Sequence, residues 1–240
     1  MGSADIPPLW NNMGVSLLTV IYIKIVLGIG TSIRERLGNA EDSRKIIYML
    51  AVSWLLFWPL FDVKHWSWRL NALVPVVLAL KLFYKGAILA DPEDPDVRNI
   101  SRSSSPSELL YGPIQLTCIM TWVGLTKFMT VEAAVIMAAV GIGDSIAPII
   151  GCRYGRHVYR MPFGSTKTIE GSVFVFLGTI VGCYLFPYGM GLPTQPLRLI
   201  LAYSGITAIV EGCSSGAFDN VFISVALNFL SGPVKKVLGV

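Results

Sequence analysis

The sequence has 240 residues, of which 53% are hydrophobic and 14% are charged, and its formal net charge is +4. Its mean hydropathy of +0.62 and its few charged residues exclude an ordinary soluble domain, in which about 25% of residues are charged. The composition therefore predicts an integral membrane protein. The sequence contains no basic tail and no patch of alternating basic and aromatic residues, so no nucleic-acid partner is expected.

Apolar runs long enough to cross a bilayer recur along the chain. A transmembrane helix needs roughly 17 to 25 mainly apolar residues, and continuous runs favour helices over a barrel, whose strands alternate. We therefore expect an all-α, polytopic membrane helical bundle that forms one domain over residues 1–240, with seven or eight transmembrane helices. The candidate spans lie near residues 13–31, 46–62, 70–90, 109–127, 131–150, 171–187, 197–212 and 219–239.

The first apolar run, VSLLTVIYIKIVLGIG, is interpreted as a retained span because it lacks a basic region before it and a small-residue cleavage site after it. No Arg-rich transit segment precedes it, so endoplasmic reticulum, plastid and bacterial inner membrane remain equally open. The cysteines are isolated from one another, which predicts reduced thiols and no zinc site or disulfide framework. They are Cys118, Cys152, Cys183 and Cys213.

Lys and Arg residues are concentrated in the loops that follow the odd-numbered spans. The positive-inside rule places these loops in the cytoplasm or stroma and the N-terminus on the opposite side. One of them, near residues 90–108, is rich in Pro, Ser and Asp, so we expect it to be irregular and exposed. Glu108 near its end either complements the dipole of the next helix or faces a site, and the sequence favours neither interpretation.

An aspartate, Asp144, lies inside an apolar run. A carboxylate at membrane depth costs several kcal/mol unless it is paired, protonated or bound to a cation, so Asp144 is expected to be functional. The small residues around it have the spacing of tight helix packing, which accounts for them but not for the aspartate. These residues are Gly141, Gly143, Ala147 and Gly151.

A basic, hydroxyl-rich loop follows Asp144. Arg offers forked hydrogen-bond donors and Lys a point charge, so the loop would bind a polyphosphate, although an ordinary positive-inside loop also explains the arginines. Lys167 lies between Thr166 and Thr168, and Glu170 begins the next span, where it either complements the helix dipole or binds a cation. His157 is expected to contact phosphate or to be exposed. The loop cations are Arg153, Arg156, Arg160 and Lys167.

Two further acids lie at the ends of the last two apolar runs. Glu211 ends one run and Asp219 begins the next, although Asp219 could simply cap its helix. With Asp144 and Glu170, they supply enough oxygen ligands for one or two Mg²⁺ ions with help from phosphate. The sequence has no P-loop, kinase glycine-rich loop, zinc-protease motif or serine-hydrolase motif, which excludes the common soluble folds for this chemistry.

The blocks GDSIAPIIGCRYGRH and PFGSTKTIEGS, the earlier PSELLYGP, and the late pair of Glu211 and Asp219 together resemble the polyprenol kinase family. This family includes phytol, farnesol and dolichol kinases and is more distantly related to CDP-diacylglycerol synthases. The resemblance covers about residues 44–230, and the chain length matches the phytol and farnesol kinases better than the longer dolichol kinases. It implies a membrane kinase that phosphorylates the terminal hydroxyl of an isoprenoid alcohol, such as phytol, farnesol or geranylgeraniol, with CTP and Mg²⁺.

The resemblance also implies roles for the singled-out residues. The catalytic candidates are Asp144, Glu170, Lys167 and Asp219. The nucleotide-binding candidates are Gly143, Ser145, Arg153, Arg156, His157, Lys167, Thr166 and Thr168. The metal candidates are Asp144, Glu170, Glu211 and Asp219, and the substrate-side candidates are Arg44, Lys45, Tyr48 and Glu108.

Tyr48 is a departure from the family pattern, because members often carry Arg-Lys-x-x-His where this chain has Arg44, Lys45 and then Tyr48. Two alternatives to the kinase are also considered. A CDP-lipid synthase would use the same acids to direct attack at the α-phosphate of CTP. A membrane transporter or scaffold would explain Asp144 as an ion site but would give the basic loop no purpose.

Overall fold

The computed structural model describes residues 6–161, 166–214, 216 and 218–239, which fold as a bundle of long helices. The predicted all-α polytopic bundle is confirmed. Helix α1 begins at a proline, which suits the first helical turn, and ends at Gly38, whose φ of 65° is left-handed. The α-helices are α1 (Pro8–Leu37), α2 (Ala40–Val52), α3 (Leu73–Phe83), α4 (Pro95–Ile100), α5 (Gly112–Thr126), α6 (Val131–Met137), α7 (Asp144–Tyr154), α8 (Ile169–Gly189), α9 (Leu197–Cys213) and α10 (Asp219–Val237).

Helices of other types extend or connect several of these elements. Helix α2 continues as a 3₁₀ helix, a second 3₁₀ helix leads into α3, and α3 continues as a π-helix. A π-helix also joins α6 to α7, so that these three segments form one long rod. The bounds are Ser53–Leu60, Trp66–Ala72 and Pro106–Leu110 for the 3₁₀ helices, and Tyr84–Leu89 and Ala138–Gly143 for the π-helices.

Five helical segments of the described chain are long and apolar enough to cross a membrane: Pro8–Arg36, Trp66–Leu89, Pro106–Thr126, Val131–Tyr154 and Ile169–Gly189. They correspond to five of the eight predicted spans. The other three predicted spans coincide with α2 and its 3₁₀ extension, α9 and α10, for which crossing of the membrane stays a prediction. Many large apolar side chains on the outside of the bundle are exposed, as expected of a surface that faces lipid.

Tight packing of α7 and its preceding π-helix against α8 explains the small residues of the sequence. A Cβ atom added at Gly143 would lie 2.3 Å from Thr179 Oγ1, and one added at Gly178 would lie 3.4 Å from the Gly143 Cα. One added at Gly151 would lie 2.8 Å from Thr168 Oγ1. The helices approach this closely because these positions lack side chains, as small-residue motifs allow in membrane helices.

The segment near residues 90–108 is more ordered than predicted. Asp94 caps α4 by accepting hydrogen bonds from the amides of Asp96 and Val97, and Pro95 occupies the first helical position. Val97 and Ile100 are buried in an apolar cluster with residues of α1, α2 and α3. Residues 90–94 and 101–105 are irregular, as expected. The expectation was wrong for Pro95–Ile100, because two apolar side chains, spaced for one face of a helical turn, anchor this helix to the bundle.

A small β-hairpin interrupts the basic loop, which the sequence did not indicate. Strands β1 (Val158–Arg160) and β2 (Thr166–Thr168) pair in antiparallel register, with Tyr159 opposite Lys167. A hydrogen bond between the Tyr159 hydroxyl and Ser172 Oγ (2.6 Å) ties β1 to α8. The hairpin thereby holds Lys167 beside the helix ends.

The loops after the odd-numbered spans meet at one end of the bundle, which we call the site end. The guanidinium of Arg34 donates to the carbonyl oxygen of Ser101 (3.2 Å), and Arg153 pairs with Asp42. At the opposite end, the amide of Asn12 donates to Ser67 Oγ (2.8 Å). The predicted alternation of loops between the two ends therefore agrees with the packing of the chain.

Candidate active site

A cavity of about 510 Å³ opens at the site end. Its volume falls within the range of about 300–1,000 Å³ that small-molecule sites occupy. Helices α2, α5, α7, α8, α9 and α10 and strand β2 all contribute to its wall. Its charged lining residues are Arg44, Lys45, Arg102, Asp144, Lys167, Glu211 and Asp219.

Three buried carboxylates converge in this cavity. Asp144 comes from α7, Glu211 from α9 and Asp219 from α10, and each offers an oxygen that lies within 4.8 Å of the others. Glu211 Oε2 has no hydrogen-bond partner among the described residues. Like charges this close in a buried site repel one another, so cations are needed to keep the three groups ionised.

Lys45 of α2 neutralises Asp144. Its Nζ lies 2.5 Å from Asp144 Oδ2 and also donates to the Asp144 main-chain carbonyl oxygen at 3.2 Å. In an α-helix that carbonyl would accept from the amide four residues later, but this position is Pro148, which has no N–H. One lysine therefore satisfies both the buried carboxylate and the carbonyl that the proline leaves free.

Lys167 neutralises the other two acids. Its Nζ forms an ion pair with Glu211 and lies 3.2 Å from Asp219 Oδ2. Burial opposes the charged form of the amine, yet Glu211 and Asp219 raise the pKa of Lys167 above its ordinary value. Lys167 is therefore protonated at neutral pH. Ser214 Oγ donates to Asp219 Oδ1 (2.5 Å), so Asp219 is engaged in the site and does not cap its own helix.

The backbone before Asp144 is unusual. Residues Ala138–Gly143 form a π-helix that changes to an α-helix at Asp144. A π turn inserts into the helical register and changes the direction in which the following side chains project, and such turns are frequent at functional sites. Here it immediately precedes the one carboxylate on this rod that lies in the cavity.

The hairpin supplies hydroxyl groups to the same cavity. Thr166 and Thr168 both line it. Thr168 also accepts a hydrogen bond from the Gly171 amide (3.2 Å) and so caps α8. This position explains the absence of a capping box, because the third residue of α8 is Gly171, which has no side chain to return the bond.

Glu170 lies apart from the acid cluster. Its carboxylate accepts from the His157 ring Nδ1 (2.8 Å) and from the His157 main-chain amide (3.3 Å). The contact joins the hairpin to α8, and the His157 side chain is exposed. The structure thus does not bring Glu170 together with Asp144, although the sequence suggested a shared metal.

Other nucleotide-binding candidates are also spread out. Arg153 pairs with Asp42, and Arg156 is exposed. Gly143 packs against α8, and the Ser145 hydroxyl is buried without a hydrogen-bond partner among the described residues. Ser165 lies outside the described part of the chain. Among all the predicted candidates, the cavity is lined by Arg44, Lys45, Tyr48, Asp144, Thr166, Lys167, Thr168, Glu211 and Asp219.

On the substrate side, Arg44 and Tyr48 line the cavity, but Glu108 does not. The Glu108 carboxylate accepts from Ser103 Oγ (2.8 Å) and closes a local turn. Arg44 Nη2 donates to Glu41 Oε1 (2.5 Å), and Arg102 Nε pairs with Glu41 Oε2 (2.7 Å). Burial raises the pKa of the Glu41 carboxyl, but the two arginines outweigh it and lower the pKa below its ordinary value.

Sequence reasoning missed the direct pairing of Lys45 with Asp144. A lysine at the start of an apolar span signals a need for a buried partner, but the partner lies 99 residues away along the chain. It also missed Asp42 and Ser214, which hold Arg153 and Asp219. Short polar side chains of this kind are common in loops and carry no signal without the fold.

Comparison with known proteins identifies phytol kinases as relatives. The chain is 33% identical over 150 residues to "Probable phytol kinase 1, chloroplastic" of Glycine max, which covers 60% of this chain and 49% of the relative. It is 29% identical over 179 residues to "Probable phytol kinase 2, chloroplastic" of Oryza sativa subsp. japonica, with 71% and 58% covered. It is 26% identical over 225 residues to "Phytol kinase" of Synechocystis sp., with 90% and 88% covered.

The chain spans about half the length of the first-mentioned plant relative. No family model matches the chain. The curated relatives nevertheless confirm the resemblance to the phytol and polyprenol kinase family.

Proposed function

We propose that this relative of the phytol kinases transfers a phosphoryl group from CTP to the terminal hydroxyl of an isoprenoid alcohol, with Mg²⁺. The observation that carries the proposal is the convergence of Asp144, Glu211 and Asp219 with Lys167 in one cavity at the site end. An isoprenoid alcohol dissolves its chain in the bilayer and keeps its hydroxyl near the interface. A nucleotide arrives from water, so a cavity at helix ends is where both substrates meet.

The acid cluster fits Mg²⁺. This ion prefers oxygen ligands, uses a few carboxylates and keeps positions for water and phosphate. Asp144 would hold it together with Glu211 or Asp219, and Glu211 Oε2 is buried without a partner among the described residues. When bound, the metal would neutralise charge on the phosphate oxygens during transfer. Glu170 is left out of this ligand set because it pairs with His157.

The chain's own residues would position the reactants. Lys167 would bind the triphosphate, with the Thr166 and Thr168 hydroxyls as further donors on the same strand. Arg153 and Arg156 do not line the cavity and would contact only a part of the nucleotide that extends beyond it. Glu211 or Asp219 would accept the proton of the alcohol as its oxygen attacks the terminal phosphorus in line with the departing CDP.

Product analysis tests the reaction. The purified protein in lipid nanodiscs is incubated with CTP and Mg²⁺ and with either phytol or phosphatidate. We expect phytyl monophosphate and CDP from the first mixture and no pyrophosphate from the second. Pyrophosphate together with a CDP-lipid would identify a CDP-lipid synthase instead. Absence of both nucleotide turnover and nucleotide binding would favour a transporter or scaffold.

The alcohol and the donor are tested in the same system. Apolar pockets discriminate weakly between chains that differ by a methylene, so we expect activity with phytol, farnesol and geranylgeraniol and much less with the far longer dolichol. CTP is expected to exceed ATP as the donor. Rates for the four alcohols and the two nucleotides, measured at equal concentrations, decide both points.

A further inference from the structure

Tyr48 carries an unexplained polar group that faces the cavity. The residue is 3% exposed, lines the cavity, and its hydroxyl has no hydrogen-bond partner among the described residues. A buried hydroxyl without a partner costs stability, and buried polar groups in folded proteins are usually satisfied. A hydroxyl at a cavity wall avoids this cost when a ligand completes its hydrogen bonds.

Neighbouring charges fix the tyrosine ring. The Arg44 guanidinium lies 5.5 Å from the ring centroid and Lys45 Nζ lies 5.8 Å from it. Both distances fall within the range of cation–π contacts. Arg44 is itself held by Glu41 (2.5 Å), and its Nε has no hydrogen-bond partner among the described residues. The Tyr48 ring is therefore held in place beside Arg44, whose Nε is a second donor without an acceptor among the described residues.

The absence of a side chain at residue 112 lets α5 lie close to this hydroxyl. A Cβ atom at Gly112 would lie 3.1 Å from the Tyr48 hydroxyl oxygen and 3.5 Å from Arg44 Nη1. A side chain there would crowd both polar groups. Gly112 also lines the cavity, so a larger residue at this position would press on Tyr48 and Arg44 at the cavity wall.

The depth of Tyr48 indicates which ligand reaches it. Helix α2 runs inward from the site end, so Tyr48 lies about one turn, roughly 6 Å, deeper than Arg44. Its ring belongs to the main apolar core of the bundle, which includes Val52 and Leu116. The hairpin groups Thr166 and Lys167, which would meet a nucleotide, come from the loop side. A ligand atom at Tyr48 is thus approached from the lipid-embedded side of the cavity.

We propose that the Tyr48 hydroxyl binds the hydroxyl of the acceptor alcohol, with Arg44 holding the ring in place. A phenol both donates and accepts hydrogen bonds, which matches an alcohol. A phosphate would instead favour cationic donors such as Lys167. The inference rests on the proposed function and names the residue that presents the acceptor oxygen.

Tyr48→Phe tests the proposal because it removes only the hydroxyl and keeps the ring. We expect kcat/KM for phytol to fall about tenfold, which is the loss of one net hydrogen bond, and KM for CTP to stay unchanged. The matched control is Tyr203→Phe, which changes a buried tyrosine of α9 that does not line the cavity. Thermal unfolding and gel-filtration profiles establish that both variants are folded.

Gly112→Ala gives a second, independent perturbation. The added Cβ would lie 3.1 Å from the Tyr48 hydroxyl oxygen and displace it, so kcat/KM for phytol should fall while KM for CTP is retained. An unchanged kcat/KM for phytol in Tyr48→Phe would overturn the proposal. A rise in the KM for CTP with an unchanged kcat/KM for phytol would assign Tyr48 to the nucleotide and would also overturn the proposal.

A binding measurement separates this proposal from the reaction itself. Phytol binding is followed by thermal shift in the absence of nucleotide, and we expect Tyr48→Phe to weaken it by about the same factor. If the wild-type protein binds phytol through Tyr48 but never phosphorylates it, the proposed function fails and the binding role of Tyr48 stands. If phosphorylation occurs and Tyr48→Phe binds phytol normally, the proposed function stands and the binding role of Tyr48 fails.

Discussion

At the scale of the residue, Asp144 is the clearest case in which the sequence indicates a functional carboxylate and the fold supplies its partner. Its carboxylate is buried, and Lys45 binds both that carboxylate and the carbonyl left free by Pro148. Removing one member of a buried ion pair leaves an uncompensated charge, which costs far more than losing an exposed pair.

Lys45→Met should therefore destabilise the protein strongly. We expect a loss of about 3 kcal/mol in the free energy of unfolding, because the buried Asp144 carboxyl loses its cationic partner. Mg²⁺ should restore more of the melting temperature in this variant than in the wild type, since the freed carboxylate becomes available to the metal. Thermal unfolding in detergent, with and without Mg²⁺, measures both effects.

The control for this variant is Lys235→Met. Lys235 pairs with Glu132 at the opposite end, and its side chain is one-third exposed (33%). Loss of such a pair is expected to cost less than about 1 kcal/mol and to show no dependence on Mg²⁺. Equal losses in the two variants, or an absent response of Lys45→Met to Mg²⁺, would argue against a metal site at Asp144.

At this scale, the sequence predicts which residues lie together where one polar residue stands in an apolar context. Asp144, Lys167, Glu211 and Asp219 were singled out as candidates, and the structure brings these four together. The sequence also groups Glu170 with these acids, because it is three residues from Lys167, but the structure places Glu170 beside His157. Alternate residues of β2 and the start of α8 point in different directions, so Lys167 faces the acids while Glu170 faces His157.

At the scale of the element, the rod of α6, its π-helix and α7 depends on glycine for its contact with α8. Gly143→Ala would place a Cβ atom 2.3 Å from Thr179 Oγ1 and 3.1 Å from the Val175 carbonyl oxygen. We expect this overpacking to cost about 1 to 3 kcal/mol and to lower activity by shifting Asp144. Melting temperature and turnover are the two measurements.

Gly205→Ala is the matched control for this helix variant. Gly205 lies in the interior of α9, and an added Cβ would meet no heavy atom within 4 Å. Alanine favours a helix over glycine by up to about 1 kcal/mol, so this variant should be neutral or slightly more stable. Similar destabilisation of both variants would show that glycine matters here for reasons other than helix contact.

The capped helix α4 provides a test of pH dependence. Burial opposes ionisation of Asp94 and Asp96, but their bonds with Lys85 and neighbouring groups outweigh it and lower the pKa of both carboxyls. A lowered pKa stabilises the fold fully above the ordinary aspartate value of about 3.9 and loses this contribution as the pH falls through the lowered value. We expect the hydrogen-exchange protection of the amides of residues 96–100, corrected for the intrinsic effect of pH on exchange, to fall below about pH 4.

Hydrogen exchange followed by mass spectrometry measures this effect. Asp94→Asn should already lower the protection of residues 96–100 at pH 7, because its side-chain amide cannot form the ion pair with Lys85 and lacks the negative charge that favours a helix N-terminus. Protection that is high and independent of pH in both proteins would contradict the role of these carboxyls. The composition of the segment could not reveal this helix, since Pro, Ser and Asp favour loops and helix starts alike.

At the scale of the whole molecule, aromatic side chains indicate where the bilayer boundaries fall. Exposed aromatic residues gather near each end, as in the interfacial belts of membrane proteins. Trp10, Trp66 and Tyr188 lie at the end opposite the site, and Tyr84, Tyr111 and Tyr154 lie at the site end. The order of spans could be predicted from apolar runs, but the cavity could not, since it depends on how seven distant segments meet.

The orientation of the bundle stays a prediction, and Cys152 can test it. This cysteine is exposed and lines the cavity. In a bacterial inner membrane, with Cys152 as the sole cysteine, an impermeant maleimide should label inverted vesicles and not intact spheroplasts. CTP with Mg²⁺ should slow the labelling. In the absence of Cys152, Lys64→Cys at the opposite end should label in the reverse pattern.

The central claim is that the buried acids perform metal-dependent phosphoryl transfer to a lipid alcohol. Its most direct test is the rate of phytyl monophosphate formation from CTP in Asp144→Asn, compared with Glu132→Gln, which alters a carboxylate paired with Lys235 at the other end. We expect Asp144→Asn to lose activity by at least about a hundredfold while remaining folded, and Glu132→Gln to keep it. Near-normal turnover in folded Asp144→Asn would contradict the account.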